Sequence, residues 1–464
     1  MTESSHDQNI EILTYSEVVD VKGFVGNFDV TIRKKPRFVD MTKCTGCGLC
    51  TEKCPTKAPS EWDLNLGMRK AIYKPFTQAV PNVPIIDKEN CLFFTKGKCK
   101  ICQKLCPAKA VDYEQAEELV TKKFGAIIVA TGFTQFDHSV YGEYGGGKFK
   151  DVITGLHLER MLDSSGPTGG HVVRPSDHKE PKNIVFLQCV GSRDEAKGYP
   201  YCSRICCMYT AKQAILMKDH YPQTQSYIFY IDIRAAGKGY EEFVKRAQRE
   251  YGAIYIRGRA SKIYEKGDKL IVRGVDTLAG KQVEIEADLV VLATAVVPQP
   301  DAVALAKLLN IPYDQYGFYS EAHPKLQPVE SVTKGIFLTG SCQFPKDIPD
   351  SVATTGAASV RACEILSKDE LVLDPKIAFV DPDVCSGCLN CVEVCPFDAI
   401  ETRTVDGKTV AQVTPTLCHG CGNCSATCRT GAVNVKGFTD DQICAQVAAV
   451  FDVLRKEKRL ELSE

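Results

Sequence analysis

A run of four cysteines that occurs twice near the C-terminal end constrains this chain most. The two copies are Cys385-x2-Cys388-x2-Cys391-x3-Cys395-Pro396 and Cys418-x2-Cys421-x2-Cys424-x3-Cys428. In bacterial ferredoxins this spacing lets three thiolates of one loop bind one [4Fe–4S] cluster while the fourth binds its neighbour. Crossed ligation is therefore predicted, with one cluster held by Cys385, Cys388, Cys391 and Cys428 and the other by Cys418, Cys421, Cys424 and Cys395. A zinc ribbon needs only two CxxC pairs and leaves the doubled run unexplained.

A second ferredoxin-like unit lies near the N-terminus. Its halves are Cys44-x2-Cys47-x2-Cys50-x3-Cys54-Pro55 and Cys91-x7-Cys99-x2-Cys102-x3-Cys106-Pro107. The insertion LFFTKGK displaces the leading cysteine of the second half, which predicts a loop that bulges out while four ligands remain. By the same crossing, one cluster is held by Cys44, Cys47, Cys50 and Cys106, and the other by Cys91, Cys99, Cys102 and Cys54. A changed cluster type at the second half stays open.

A third cysteine group differs from the two ferredoxin-like units, because it follows an apolar strand and opens a helix. Its members are Cys189, Cys202, Cys206 and Cys207. Adjacent helix residues are rotated by about 100°, so two successive cysteines cannot share one helix face unless the chain bends. Both cluster ligation and buried structural thiols remain open here. Cys363 and Cys444 lie in apolar helical patterns and are predicted to be core residues.

The composition limits the cellular setting and the classes of partner. There are 23 cysteines in 464 residues, and in a cytosolic chain such thiols favour metal ligation over disulfides. Lys and Arg total 57 against 58 Asp and Glu, so no basic field attracts nucleic acid. No apolar run of about 18 residues and no signal-peptide pattern occurs, which predicts a cytoplasmic protein without a transmembrane segment.

The segments between the cysteine groups predict buried strands in a layered α/β sheet. Residues 10–37 alternate apolar and polar side chains, as in a hairpin or small meander. Phe124 to Phe133 forms a continuous apolar run that ends near Thr131 and Gly132, and a similar strand carries Thr294 at the same place. Strand ends of this type are typical of flavoproteins with two dinucleotide domains.

Lys334 to Leu366 predicts a strand ending at Gly340, a loop, and a helix that begins near Ser351 with small residues along its first turns. A helix N-terminus offers N–H groups and partial positive charge, which suit the anionic edge of a reduced flavin. Small residues allow close approach of the backbone. An ordinary strand-to-helix connection is the alternative.

Residues 181–287 follow a βαβ order, which predicts a nucleotide-domain topology. After the first strand, however, Cys189-Val-Gly-Ser-Arg stands where a dinucleotide site shows G-x-G-x-x-G, so a nicotinamide nucleotide is not expected here. No such glycine motif opens the chain either, so the ADP half of FAD would lack its usual cradle.

Together these motifs resemble the heterodisulfide reductase family of A subunits and its bacterial relatives, from about Ile10 to about Gly437. The resemblance implies a thioredoxin-reductase-like α/β fold with two dinucleotide domains, an inserted ferredoxin domain and a C-terminal one. It implies that Cys189, Cys202, Cys206 and Cys207 bind a further cluster, which makes about five [4Fe–4S] clusters. Family members usually begin with a longer segment carrying the FAD fingerprint, which this chain lacks.

The resemblance also implies residue roles around a flavin. Lys212 would lie near the ring and hydrogen-bond to N5, the alternative being a solvated helix charge. The ribityl chain and ring would be lined by Gly340, Ser341, Lys346, Asp347 and Ser351, with Cys342 beside them as a non-ligand. Thr131, Gly132 and Thr294 are further predicted cofactor-binding residues.

Seven segments follow from these assignments. They are a β-meander (1–37), an inserted ferredoxin domain (38–112), a flavin-domain return (113–173), a degenerate nucleotide-type domain (174–290), the rest of the flavin domain (291–370), a C-terminal ferredoxin domain (371–437) and a C-terminal helix (438–464).

Two functions are consistent with this organisation. The first is an oxidoreductase subunit in which FAD accepts an electron pair and splits it between the two ferredoxin branches. The second is a flavin-free relay that connects a dehydrogenase or hydrogenase to a partner reductase, as in a benzoyl-CoA-reductase-type complex. Expected partners are chains like the B and C subunits of heterodisulfide reductase and a hydrogenase- or dehydrogenase-linked iron–sulfur protein. A separate chain could supply the missing FAD-binding half.

Overall fold

A computed structural model describes residues 2–372 and 375–461. The predicted segments beginning at 1, at 371 and at 438 each include residues outside these ranges, namely 1, 373–374 and 462–464. The helices are α1 (Thr2–His6), α2 (Leu49–Glu52), α3 (Leu92–Lys96), α4 (Ile101–Leu105), α5 (Gly155–Leu162), α6 (Cys206–His220), α7 (Tyr240–Arg249), α8 (Ala302–Leu308), α9 (Ile348–Leu366), α10 (Asn390–Glu393), α11 (Asn423–Thr427) and α12 (Asp440–Glu461).

The strands run from the N-terminal meander to the second ferredoxin unit. They are β1 (Ser16–Phe24), β2 (Asn27–Lys34), β3 (Lys57–Pro59), β4 (Met68–Lys70), β5 (Ile72–Tyr73), β6 (Ile85–Ile86), β7 (Glu118–Phe124), β8 (Ile127–Val129), β9 (Thr134–Gln135), β10 (Val152–Thr154), β11 (Asn183–Val190), β12 (Gln225–Tyr230), β13 (Ile254–Arg257), β14 (Ala260–Lys266), β15 (Lys269–Asp276), β16 (Lys281–Ala287), β17 (Leu289–Thr294), β18 (Val296–Val297), β19 (Ile336–Leu338), β20 (Ala378–Val380), β21 (Ile400–Val405), β22 (Lys408–Val413) and β23 (Val433–Val435).

A five-stranded parallel sheet forms the centre, in the order β10-β17-β11-β12-β13. Its middle strands are continuous apolar runs because both faces are covered, and β17 is buried along its whole length. The crossover helices α6 and α7 connect β11 to β12 and β12 to β13. The predicted α/β class is therefore confirmed.

The boundary of this sheet differs from the sequence prediction. Strand β10 and helix α5 fall in the segment 113–173, yet β10 pairs with β17 in the central sheet. The three residues of β10 are all buried, but they contact a strand more than a hundred residues away. Such a non-local pairing leaves no periodic pattern in the surrounding sequence.

Asp288 anchors the start of β17. Its carboxylate accepts hydrogen bonds from the backbone N–H groups of Lys182 and Asn183, both at 2.9 Å, and it forms ion pairs with Arg174 and Lys269. Burial alone would raise the pKa of Asp288, but the Lys269 and backbone hydrogen bonds lower it below its usual value. Its contribution to stability is present above the unfolded-state pKa near 3.9 and is lost as pH falls through the lower folded-state pKa.

Replacing Asp288 by alanine is expected to destabilise the central sheet by about 3 kcal/mol, because two cations and two N–H groups lose their acceptor. Hydrogen exchange of β11 amides would report this opening free energy. The exposed Glu286 is the matched control, and Glu286→Ala should stay within about 0.5 kcal/mol of the parent. Equal effects of the two substitutions would contradict the anchoring role.

A second layer contains the meander and the C-terminal half of the predicted flavin domain. Strands β1, β2 and β7 form an antiparallel sheet, and β8 pairs in parallel with β19. The helix α8 packs its buried Ala302 and Ala306 against this layer, and Cys342 belongs to the same core. The start of α9 is thereby placed at the carboxyl end of β19.

Both cysteine-rich ends fold as small α+β units of one design. In the C-terminal unit the outer strands β20 and β23 pair, and β21 and β22 form a hairpin between the cysteine runs. In the N-terminal unit a bridge between Val39 and Val111 takes the place of the outer pair. The two predicted ferredoxin domains are thus present in the fold.

The insertion in the N-terminal unit is not a bulging loop, so that prediction is wrong. Residues 92–96 form helix α3, and Phe93 and Phe94 pack on Tyr113 with ring centroids 4.0 and 5.7 Å apart. Aromatic side chains bury large areas and hold one another through ring contacts, so the insertion turns inward.

The predictions that Cys363 and Cys444 are core residues are also wrong. Both side chains are exposed, on α9 and α12 respectively. The apolar spacing of these helices is present, but the faces that carry the two cysteines are exposed. Among the described residues, no helix is long and apolar enough to cross a membrane.

Candidate functional site

Three of the four predicted ferredoxin ligand sets each surround a small internal space of about 20 Å³. The cysteines lining them are Cys44, Cys47, Cys50 and Cys106 in the first, Cys54, Cys91, Cys99 and Cys102 in the second, and Cys395, Cys418, Cys421 and Cys424 in the third. Each space thus takes its fourth cysteine from the other run. Within residues 2–372 and 375–461, no group of three His, Cys, Asp or Glu side chains is placed to hold a single metal ion.

The pKa shifts indicate that the cysteines of the remaining ligand set also lie close together. Burial raises the pKa of Cys391, and neighbouring thiols raise it further; these thiols belong to Cys385, Cys388 and Cys428. Burial likewise raises the pKa of Cys424 to about 11, with contributions from the thiols of Cys418, Cys421 and Cys395. The spatial grouping therefore follows the crossed pattern, while ligation itself stays a prediction.

Backbone N–H groups point at several of these sulfur atoms. Ala110 N–H donates to Cys106 Sγ and Ala399 N–H donates to Cys395 Sγ, both at 3.3 Å. These two cysteines are the fourth ligands of their runs, and the donor is four residues later in each. Hydrogen bonds to cluster sulfurs stabilise thiolates and tune reduction potentials, so the backbone suits an iron–sulfur centre.

The third cysteine group lies where an α/β sheet binds its ligands. Cys189 is near the carboxyl end of β11, and Cys206 and Cys207 open α6. Strand order reverses beside β11, since β12 lies on one side and β17 on the other. Ligands of open α/β sheets bind at this switch point, which here is occupied by thiols in place of a glycine loop.

The loop that carries this group is held in an unusual backbone conformation. Cys189, Arg193 and Arg204 have left-handed φ values of 60°, 55° and 60°. Such values are uncommon for residues other than glycine, and they cluster at functional sites. A Cβ at Gly191 would lie 2.4 Å from the Phe136 ring, so only glycine fits the turn.

The thiols of this group are close to one another despite the adjacent positions of two of them. Cys206 contacts both Cys189 and Cys207, and these contacts together with burial raise the pKa of Cys206. The pKa of Cys207 is lowered by Cys206 and by the backbone N–H of Arg234, whose nitrogen lies 3.4 Å from Cys207 Sγ. Four cysteines, three of them buried and joined through Cys206, can hold a cluster, and they can also be a structural thiol group.

A large open cleft of about 1400 Å³ lies beside this group. Six predicted residues line it, namely Cys202, Lys212, Ser341, Lys346, Asp347 and Ser351. The cysteine comes from a loop of the central sheet, whereas Ser341, Lys346 and Asp347 come from the β19–α9 connection and Ser351 from the first turn of α9. The cleft is therefore formed between the two halves of the α/β core.

Lys346 is the most unusual charge in the cleft. Its side chain is 5% exposed, and its ammonium donates to the neutral side-chain oxygen of Gln343. Burial lowers the pKa of Lys346, and the ring of Phe344 lies 4.6 Å from the ammonium. Within the described part of the chain this ammonium has no carboxylate in ion-pair contact, and such a buried cation suits an anionic ligand.

Helix α9 begins at Ile348, three residues before the predicted start. Asp347 caps it by accepting a hydrogen bond from the backbone N–H of Asp350 at 2.8 Å. A Cβ built at Gly356 meets no atom within 4 Å, so the space beside this helix is open on the cleft side. The first turn of α9 and the open face at Gly356 thus border the same cleft.

Lys212 lines the cleft but is not free in it. Its ammonium forms an ion pair with Glu159 at 2.7 Å, and the side chain is 46% exposed. Gln213 donates to the other oxygen of the same carboxylate. A flavin contact by Lys212 would require this pair to rearrange, and its predicted role stays a prediction.

Arg204 is a cleft residue that the sequence did not single out. It forms an ion pair with Asp350 at 2.8 Å and donates to the carbonyl of Pro345 at 3.4 Å. It thereby ties the loop of Cys202 to the start of α9. A basic residue between two cysteines carries no distinctive pattern, so only the fold reveals this link.

The remaining predicted cofactor residues do not line the cleft, namely Thr131, Gly132, Thr294 and Gly340. Gly132 and Gly340 adopt left-handed φ values of 70° and 69° at strand ends. Cys342, the predicted non-ligand, is buried, and its thiol donates to the carbonyl of Thr339 at 3.0 Å.

Comparison with protein families finds two iron–sulfur domains. Residues 379–432 match a 4Fe-4S dicluster domain, and residues 37–60 match a 4Fe-4S binding domain. These matches coincide with the two cysteine-rich units of the fold. An α/β core that carries two such units defines an iron–sulfur protein of the oxidoreductase class.

Curated relatives specify the family. The iron–sulfur A subunit of the CoB–CoM heterodisulfide reductase from Methanocaldococcus jannaschii is 49% identical over 98% of this chain and 69% of its own length. A corresponding protein from Methanopyrus kandleri is 50% identical over 88% of this chain and 62% of its own length. The chain belongs to this family of heterodisulfide reductase A subunits, which confirms the resemblance inferred from its motifs.

The chain spans 50% to 69% of the length of the relatives compared. Among solved structures, the thioredoxin reductase of T. acidophilum aligns with 54% of this chain and 70% of its own, at 15% identity and a TM-score of 0.35.

Proposed function

We propose that this chain is an electron-transfer subunit of a heterodisulfide-reductase-like complex. Electrons would pass between a flavin in the cleft and about five [4Fe–4S] clusters, and the flavin's electron pair would be divided between the two ferredoxin units. The observation that carries this proposal is that Cys202 and the buried Lys346 line the same cleft. A cluster ligand and a site for an anionic ring would then be neighbours.

The residues of the cleft fit a flavin. Lys346, the capped start of α9 and the open face at Gly356 supply positive charge and room for a flat anionic group. Bound flavin supplies two-electron acceptance with one-electron release. The residues that would hold it are Lys212, Ser341, Lys346, Asp347 and Ser351, and Thr131, Gly132, Thr294 and Gly340 remain predicted strand-end contacts.

The cluster ligands are those of the crossed sets together with Cys189, Cys202, Cys206 and Cys207. Support comes from the four-cysteine spaces, the N–H groups aimed at sulfur, and the two family domains. Cys47, Cys388 and Cys421 are exposed, so their clusters would lie near docking faces. These faces suit partners like the B and C subunits and a hydrogenase- or dehydrogenase-linked iron–sulfur protein.

The names of relatives agree with two kinds of acceptor. The relative from Methanothermobacter marburgensis, 49% identical over 85% of this chain, is named for an H2:CoB–CoM heterodisulfide,ferredoxin reductase. By inference, one branch of this chain would serve a disulfide-reducing partner and the other a ferredoxin-like carrier. A cytoplasmic setting, which keeps thiols reduced, belongs to the same proposal.

Replacing Lys346 by methionine is expected to weaken flavin binding about tenfold or more, because a charge-assisted contact in a buried site is lost. Flavin fluorescence titration of the anaerobically purified assembly would measure it. The matched control is Lys245→Met, since Lys245 is exposed on α7 and pairs with Glu241 at 2.8 Å. Unchanged affinity in Lys346→Met contradicts the role of Lys346, whereas absence of flavin from the parent assembly removes the flavin function.

The flavin-free relay is the second candidate, and the Lys212–Glu159 ion pair favours it because that ammonium is already satisfied. The relay predicts that flavin-depleted assembly transfers electrons between its partners at the parent rate. Stopped-flow reduction of the clusters, with and without flavin, separates the two functions.

A further inference from the structure

We propose that Tyr113 is a positioning residue that raises the reduction potential of one cluster in the N-terminal ferredoxin unit. The cluster concerned is the one assigned to Cys54, Cys91, Cys99 and Cys102. The inference rests on the proposed cluster ligation. The hydrogen bond from the phenol would make this cluster easier to reduce than it would be without that donor.

The contact that carries the inference joins Tyr113 Oη and Cys102 Sγ at 3.0 Å. Tyr113 is 7% exposed and lines the space that the four cysteines surround. A cluster-bound thiolate has no proton, so the phenol must be the donor. The sulfur of Cys102 therefore receives a hydrogen bond from a buried donor.

Helix α3 holds this phenol in place. Phe93 stacks on the Tyr113 ring with centroids 4.0 Å apart and planes at 30°, and Phe94 meets it edge-on at 5.7 Å. Phe94 in turn packs on Phe38 at 4.5 Å. The insertion between Cys91 and Cys99 thus supplies the aromatic wall that fixes the direction of the hydroxyl.

A cation lies beside the same cluster site. Lys70 Nζ donates to the carbonyl of Cys54 at 2.6 Å, and its side chain is partly buried. The neighbouring set is different, because its sulfur hydrogen bonds come from the backbone N–H groups of Gly46, to Cys44, and of Ala110, to Cys106. Within the described residues, the phenol of Tyr113 and the ammonium of Lys70 are thus particular to the first site, whereas the two backbone N–H donors are particular to the second.

The phenol of Tyr113 and the ammonium of Lys70 favour the reduced form of the cluster beside them. Reduction adds one electron and one negative charge to a cluster, no covalent bond changes, and the proton stays on Tyr113. A donor aimed at the sulfur and a nearby cation stabilise the more negative state more strongly, which raises the potential.

The test is an EPR-monitored redox titration of the anaerobic holoprotein carrying Tyr113→Phe. At a fixed potential we expect the reduced-to-oxidised ratio of one cluster to fall about tenfold, a midpoint shift of about 59 mV to lower potential for a one-electron couple. Cys99→Ala identifies which component belongs to this cluster. The control is Tyr264→Phe, because that phenol is on a distant strand and bonds to Glu284 at 3.1 Å.

Lys70→Met provides an independent variant and should shift the same component in the same direction. An unchanged midpoint for Tyr113→Phe at full iron content would overturn the inference, and if Tyr113→Phe loses iron, the midpoint of Lys70→Met decides. A parent protein without iron and sulfide would instead contradict the proposed cluster ligation.

Discussion

Replacing Cys206 by alanine is expected to remove one whole cluster and leave the others in place. Cys206 is 1% exposed, and its thiol contacts both Cys189 and Cys207, so it is central to the group at the end of β11. With five clusters in the parent, iron would fall from about twenty to about sixteen per chain. Anaerobic iron and sulfide analysis, with EPR to count the remaining clusters, measures this loss.

Cys342 is the matched control for this substitution. It is also a buried cysteine, at 4% exposure, but its thiol donates to backbone carbonyls and contacts no member of the third cysteine group. Cys342→Ala should keep all the iron and show only a packing cost. If both variants keep the parent iron content, the group at Cys189–Cys207 is structural, and the cleft loses its neighbouring cluster.

Much of the fold could be predicted because its signals are local. Continuous apolar runs predicted the buried strands β11 and β17, and cysteine spacing predicted both ferredoxin units. Boundaries were less accurate: the predicted apolar run from Phe124 to Phe133 contains the three-residue strand β8, and α9 begins earlier because Asp347 caps it. Cap geometry depends on side-chain contacts that spacing does not reveal.

What the sequence did not reveal depends on contacts between distant segments. The inward fold of α3 follows from its contact with Tyr113, which comes from another part of the unit. The exposure of Cys363 and Cys444 follows from which helix faces are covered, and periodicity alone does not say that. Amphipathic spacing predicts a helix, but its burial needs a partner surface.

The candidate site shows the same division. Spacing grouped the ferredoxin cysteines, and family resemblance pointed to Lys346 and Ser351, which line one cleft with Cys202. Arg204 and Glu159 could not be predicted, because each acts through an ion pair with a residue distant in sequence, Asp350 and Lys212 respectively. Sequence motifs therefore identify ligands more readily than the residues that position them.

Removing iron and sulfide is expected to unfold both ferredoxin units while the central sheet stays folded. Three of the buried residues in the small C-terminal core are the cysteines Cys385, Cys391 and Cys424, and the others are alanine, valine and isoleucine. In a core this small, the clusters therefore supply a large part of the stabilising contacts. Amide exchange in β20 to β23 and in β5 and β6 should accelerate by at least about a hundredfold after anaerobic chelation. Hydrogen-exchange mass spectrometry would resolve these segments.

Protection of β11 and β17 provides the internal control for chelation. Their central residues, such as Phe186 and Leu292, are fully buried by apolar neighbours of the sheet and do not depend on clusters. Only the loop 191–205, which connects Cys189 to Cys206, should gain exchange in this part of the molecule. If the ferredoxin units keep their protection after iron is gone, their fold does not depend on clusters. Loss of protection in all segments, including β11, would contradict the prediction that the central sheet stays folded. It would show that cluster binding is coupled to the folding of the whole chain.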